Sequence, residues 1–528
     1  MLRQTPLLAA LGLALTGCPS SGESPVPTAT PSTLGTSATK AAPTMSGAAP
    51  TVAVPKKVEG DQPQVDACGG LVDSVNRCGP VANLSAQVPG DICLPAGENE
   101  FNSYAVEHMA WKAFVALSWP TTEADMPDPK GPLAANHQPD GHRTAWQSWR
   151  SPEELLQIAR QKEGVVAKAD WSTQAELPVE CSAEAGSLLL RRTGKVGDDV
   201  HALGLEGLES VSGGPAIDQN GRAVLVETRM NRTMWDVVVS GRFYEPGRSD
   251  RGLSFPNHHG DTAYGTGAMA VQAGWVVIDR VEDGDTSLHV REAYVYQEGN
   301  DLRPAVCDKK LVGLVALQVA HKAGVGDDHW VWSVFENTAV AALDEAAAPR
   351  EYMFQTGGCP DLDADVCEAV EAGNSTEAAR CCPNTDLHGR LGPEARLGDD
   401  RRPTHLTRLD AWSDSSNCTE AYRDALIGTP WSNFVLVGAQ YWQNPDADTV
   451  SEGAGPRTLR SLTLEPWAVE WTADGQDTTS SCLGCHQGGD DGIFFTRAMR
   501  APVPESSEAS FPPPGSDASP SEPPSAPE

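Results

Sequence analysis

The sequence predicts an α+β protein, a large mixed body whose second half is dominated by antiparallel strands, flanked by a disordered N-terminal tether and a disordered C-terminal tail. Three observations predict it. Helical apolar spacing is concentrated in the first half of the body, Val-, Ile- and Trp-rich strand patterns crowd the second half, and both ends are rich in Pro and Ser.

The elements follow in chain order. Phe101 to Trp119 carries apolar residues at Tyr104, Met109, Trp111, Phe114, Val115 and Leu117, close to helical spacing, and Pro120 stops it. Ser151, Pro152 and Glu153-Glu154 open a second helix that runs to about Gln161. Leu225 to Ser240 predicts a third, with Met230 and Met234 one turn apart on one face. Gly241 to Gly267 is a long polar loop containing His258-His259, a candidate substrate or cofactor-edge loop. Trp275 to Asp279, the turn Asp283-Gly284-Asp285 and the alternating run Leu288 to Tyr296 predict a hairpin. Leu311 to His321 is a buried-strand pattern expected to pair with His329 to Glu336, and Phe434 to Tyr441 is one further strand.

The ends bound the body. A single Arg3, an apolar stretch from Pro6 to Leu15, and Leu15-Thr16-Gly17-Cys18 resemble a lipoprotein signal peptide over residues 1–17, which implies lipid on the thiol of Cys18 and export. Residues 18–64 and 505–528 lack the large apolar side chains needed to offset chain entropy. Between them lie roughly 440 residues, enough for two or three domains or one large mixed domain. The expected division is 65–245 as a partly helical part, 246–478 as a strand-rich part with a Cys-rich insertion at 344–430, and 479–504 as a separate attachment segment. No later stretch approaches the roughly 18 consecutive apolar residues of a membrane-spanning helix, so the expected membrane contact is the lipid.

The formal net charge is −33, which disfavours nucleic acid and anionic membrane surfaces as partners and would suit a basic redox partner. Of the 13 cysteines, Cys18 is assigned to lipid and Cys482 and Cys485 to the motif below. The remaining even set, Cys68, Cys78, Cys93, Cys181, Cys307, Cys359, Cys367, Cys381, Cys382 and Cys418, is expected to form structural disulfides, with clusters near Cys68 to Cys93 and Cys359 to Cys418.

Cys482-Leu483-Gly484-Cys485-His486 is the strongest chemical signal. Two thiols three positions apart can each add to a vinyl group of one porphyrin, and the adjacent imidazole then ligates the iron, the pattern of covalent haem c. The rivals are a thioredoxin-like dithiol, which belongs at a strand-to-helix junction, and a structural disulfide; here a polar loop, Ala473 to Ser480, precedes the motif. Candidates for a second axial ligand are Met499 and His321, with Met230, Met234, His258 and His259 further possibilities; a vacant or water-filled position is the alternative. The chain has no Gly-x-Gly-x-x-Gly turn, phosphate-binding loop, Gly-x-Ser-x-Gly elbow or His-Glu-x-x-His helix.

Several segments together resemble a family of uncharacterised bacterial proteins of the cytochrome c class: Trp111-Lys112-Ala113-Phe114 with Ser118-Trp119-Pro120, Gly274-Trp275, Gly313 to Leu317 with His321-Lys322, Trp330 to Glu336, and Ser480 to His486. The resemblance implies a secreted monohaem protein with Cys482, Cys485 and His486 as its haem residues, and marks His321 through its His-Lys pair. It implies no substrate. The expected function is electron transfer; a peroxidase- or oxidase-type haem enzyme and a haem-based sensory or binding lipoprotein are the alternatives.

Overall fold

The computed structural model describes residues 81–90, 103–121, 126–133, 143–160, 169–191, 216–245, 253–257, 266–297, 304–341, 352–354, 418–442, 454–465 and 482–486, with short breaks inside several of these ranges. All lie within one unit, Val65–Glu528. Cys18, the tether and tail, His258, His259, Met499 and most of the Cys-rich insertion lie outside the described residues.

The first two helices form where the apolar spacing and caps place them. Helix α1 is Ser103–Leu117; it is apolar nearly all round because it is buried nearly all round, with Val106, Trp111, Phe114 and Leu117 fully inaccessible. Helix α2, Pro152–Arg160, starts with a reciprocal cap. The Ser151 hydroxyl accepts from the Glu154 N–H at 3.1 Å, and the Glu154 carboxylate accepts from the Ser151 N–H at 2.7 Å.

The third expected helix divides in two. Leu225–Met230 is strand β2 and Arg232–Gly241 is helix α3, so Met230 and Met234 do not share a helical face. Asn231 makes the break. Its side-chain oxygen accepts from the Met234 N–H at 3.0 Å as an N-cap and from the Met269 N–H at 3.1 Å, while its amide donates to Gly267 O at 2.8 Å. Upstream of it, Leu225–Met230 pairs residue by residue with Ala270–Trp275, and this tertiary pairing overrides its weak helical spacing.

The sheet is open and mostly antiparallel. Besides β2 it contains β1 (Leu189–Leu190), β3 (Met269–Ile278), β4 (His289–Gln297), β5 (Val306–Lys322), β6 (Trp330–Asn337), β7 (Phe434–Trp442) and β8 (Ala454–Gly455). The pairing of β5 with β6 is the expected one. The expected hairpin is not formed: β3 and β4 pair with β5, and not with each other. The reason is the length of β5, whose 17 residues give β3 one edge and leave the other to β4 along its first half and β6 along its second. β2 and β3 belong to one sheet, so the division at residue 245 falls within it.

Each face of the sheet has its own cover. On one, Phe335 stacks on Phe114 of α1 with ring centroids 4.3 Å apart and meets Trp111 edge-on at 5.0 Å; His289, Trp275, Trp431 and Trp146 continue this aromatic layer. On the other, a strap formed by Leu459 and Ser461–Glu465 crosses the strands. Ser461 and Thr463 bond the Glu336 carboxylate of β6 at 2.7 and 3.2 Å, and Glu465 accepts from Gln318 of β5 at 3.1 Å. Val224, Val226, Val276, Phe354 and Leu464 form an apolar cluster under the strap.

One disulfide joins Cys181 to Cys307, with Cα atoms 5.0 Å apart. It pairs the two cysteines that stood apart from the sequence clusters and ties the segment before β1 to the start of β5. Cys418 is also disulfide-bonded.

Candidate functional site

Cys482–Cys485 folds as one helical turn, α5. The His486 N–H donates to Cys482 O at 3.0 Å, the bond that closes a helical turn. The backbone therefore sets positions 482 and 485 one above the other along the turn, with position 486 following directly. A polypeptide needs this spacing to offer two thiols and an imidazole to one porphyrin edge and its iron.

Backbone and side-chain groups dock the turn onto the sheet. The Cys482 N–H donates to Leu459 O at 3.1 Å, and the Leu483 N–H donates to the side-chain oxygen of Gln440 on β7 at 2.7 Å. The His486 imidazole stacks on the Trp332 indole of β6, ring centroids 4.5 Å apart and planes 23° from parallel. Cys482, Leu483 and His486 are all buried. Gly438 of β7 has a place in this arrangement: a Cβ there would come within 2.9 Å of a Leu459 methyl, so its absence lets the strap, and with it the carbonyl that anchors Cys482, lie close to the strand.

Strand parity sorts the axial candidates. Residues directly opposite across neighbouring strands share a face, and the register runs Met230, Ala270, Ala320, Trp332, Gln440 across β2, β3, β5, β6 and β7. Trp332 and Gln440 are the side chains that hold the turn, so this row lies on its face. His321 opposes Met269 and Val331 and therefore projects from the other face, although it neighbours Ala320 in sequence. The sequence placed His321 among the ligand candidates on its His-Lys pair alone; the pleat turns it away from the turn. Met230, fully buried, lies on the same face, three strand spacings or roughly 14 Å from Trp332, with the small side chains of Ala270 and Ala320 between.

Sequence reasoning singled out Trp330 to Glu336 as a strand but not Trp332, Gln440 or Leu459 as the bed of the motif. The alternation of Trp330 and Trp332 was the available signal, since two indoles on one strand face need a large partner. Two thiol positions on one turn, followed by the His486 imidazole buried against an indole, are the groups that would hold a haem c.

Comparison of the chain with family models, with curated proteins and with solved structures finds no match. The site must therefore be interpreted from its own residues.

Proposed function

We propose that this chain is an exported, lipid-anchored protein that carries one covalent haem c at Cys482 and Cys485, with His486 as the proximal ligand, and that it transfers single electrons. The observation that carries this reading is the burial of His486 against Trp332 directly after a helical Cys-x-x-Cys turn. A dithiol redox motif has no need of a following imidazole fixed against an indole, and neither has a structural disulfide.

Haem, when bound, supplies the one-electron iron couple. The chain's residues supply the rest. Trp332 restricts rotation of the His486 ring, Gln440 and Leu459 fix the height of the turn above the sheet, and the apolar surroundings exclude water from the imidazole, all of which influence a haem potential. Met230, buried on the same sheet face as the turn, would be a residue able to offer a second ligand to a bound haem. The acidic charge of the chain favours a basic redox partner, and Cys18 would anchor the body to a membrane by lipid. Among the described residues no helix is long and apolar enough to cross a membrane.

The test is to express the full chain with c-type maturation machinery and measure the intact mass and pyridine haemochrome spectrum of the mature protein. One covalent haem, lost in the Cys482→Ala/Cys485→Ala double variant, is the expected result. A haem-free protein with Cys482 and Cys485 oxidised to each other would overturn the proposal. Failure of the reduced haem to bind carbon monoxide separates a carrier from an enzyme or gas sensor.

A further inference from the structure

The face of the sheet opposite the motif holds a second group of side chains with redox chemistry. Tyr104, Glu107, His108 and Trp111 form one stripe of α1 at helical spacing, and helix α4, Cys418–Ala425, lies against it. The Tyr422 hydroxyl of α4 is 3.2 Å from His108 Nδ1, and both residues are buried. The Tyr422 ring stacks on Trp111, centroids 5.3 Å apart and planes 5° from parallel. Trp111 is itself fixed, since its indole N–H donates to the Thr419 hydroxyl at 3.2 Å.

From Trp111 the aromatic contacts continue. Phe335 and Phe114 adjoin it; Phe114 meets Trp431 at 5.8 Å, Trp431 meets His289 at 4.7 Å, His289 meets Trp275 at 6.0 Å, and Trp275 meets Trp146 at 6.1 Å. Oxidisable Tyr and Trp rings thus lie in one connected layer. The layer also reaches the sheet beneath the haem motif, because Phe335 and Trp332 belong to the same strand and face opposite sides of it.

We propose that Tyr422 and His108 form a proton-coupled redox pair, in which Tyr422 gives up one electron and passes its hydroxyl proton to His108. The step balances with a one-electron oxidant of the peroxide-derived radical class. The electron leaves Tyr422 through Trp111 to that oxidant, the Tyr422 O–H bond breaks, and an N–H bond forms at His108 Nδ1. A neutral tyrosyl radical beside an imidazolium remains, and return of an electron and the same proton restores the pair.

The environment suits this exchange. A base acts only if it is unprotonated and within hydrogen-bond reach. Burial, reinforced by the nearby Lys112 ammonium, pulls the His108 pKa down to about 3, so the imidazole is neutral near pH 7. Burial, with Tyr104 adding to it, pushes the Tyr422 hydroxyl far above the usual phenol range, so the tyrosine holds its proton until an electron is removed. Loss of a bare proton would leave a buried phenolate, and loss of a bare electron would leave a buried cationic phenol, a far stronger acid than imidazolium. Coupled transfer moves that positive charge onto His108, whose protonation burial and Lys112 oppose but which is still the stronger base.

This inference does not depend on haem attachment. Its test is flash-quench oxidation of the full chain with photogenerated tris(bipyridine)ruthenium(III), followed by electron paramagnetic resonance. The unaltered chain should give a tyrosyl signal that is lost in Tyr422→Phe and that decays faster in His108→Gln, where a hydrogen-bonding group remains but a base does not. Labelling the unaltered chain with ¹⁵N-histidine gives a readout free of folding effects: electron–nuclear double resonance should detect one histidine nitrogen coupled to the radical. An undiminished tyrosyl signal in Tyr422→Phe, a radical confined to tryptophan, or no histidine coupling would each overturn the pair. The Cys482→Ala/Cys485→Ala variant should give the same signal, so failure of the haem proposal and failure of this one are separable.

Discussion

Trp332 and Gln440 are the residues on which the motif rests. Replacing Trp332 by Ala removes a buried indole and the surface under His486, and should lower stability by about 3–5 kcal/mol, whereas Trp332→Phe keeps a ring against the imidazole and should lose much less. Gln440→Leu leaves the buried Leu483 N–H without its acceptor and should cost about 1–3 kcal/mol. Urea unfolding of the three variants checks both expectations. His108 offers a pH-dependent test of the opposite face. Its pKa falls from 6.5 to about 3, first by burial and second by Lys112, so the unfolded chain takes up the proton before the folded one does. The His108 contribution to stability is therefore complete above about pH 6.5 and is lost as pH falls toward about 3, a change on the order of a few kcal/mol. In His108→Gln the acid limb of the stability-against-pH profile should be shallower; an unchanged limb would show that His108 does not titrate with unfolding.

At the scale of the element, the pleat decides which side chains share a surface with the motif. Parity in β5 turns Ala320 toward the turn and His321 away from it, and the β2 register puts Met230 in the Ala320 row. In the haem-loaded protein, Met230→Ala should open the second axial position and permit carbon monoxide to bind, while His321→Ala should leave the visible spectrum unchanged. The reverse outcome would mean that the haem sits across the sheet from its attachment turn. The elements most legible in sequence were α1, α2, β5, β6 and β7, because apolar period and local caps act within a few residues of each other. The β2–α3 junction was not legible, since the Asn231 side chain binds the backbone of Gly267 and Met269, a segment that lies far away in sequence.

At the scale of the whole molecule, the Cys181–Cys307 bond closes a loop across a sequence separation of 126 residues. Closing so long a loop restricts the unfolded chain, so the Cys181→Ser/Cys307→Ser double variant should be less stable by about 2–5 kcal/mol. Thermal unfolding of the oxidised protein measures this. A difference below that range would mean that the native packing around β1 and β5 holds without the bond. The bond also explains how the two-residue β1 stays paired with β4, because the segment leading to it is fixed to the strand at the centre of the sheet.

The sequence by itself determined the chemical groups on offer and the coarse class of fold: a Cys-x-x-Cys-His motif, an acidic charge, and a mixed helix-and-strand pattern whose strands are mostly antiparallel. These depend on residue type and short spacing, which are local properties of the chain. Tertiary structure alone decided that β5 separates β3 from β4, that Cys181 meets Cys307, that His486 rests on Trp332, and that Tyr422 faces His108. Each of those joins residues far apart in the chain, and such pairings depend on which strand edges and faces remain open once the earlier elements have packed, information that no local pattern carries.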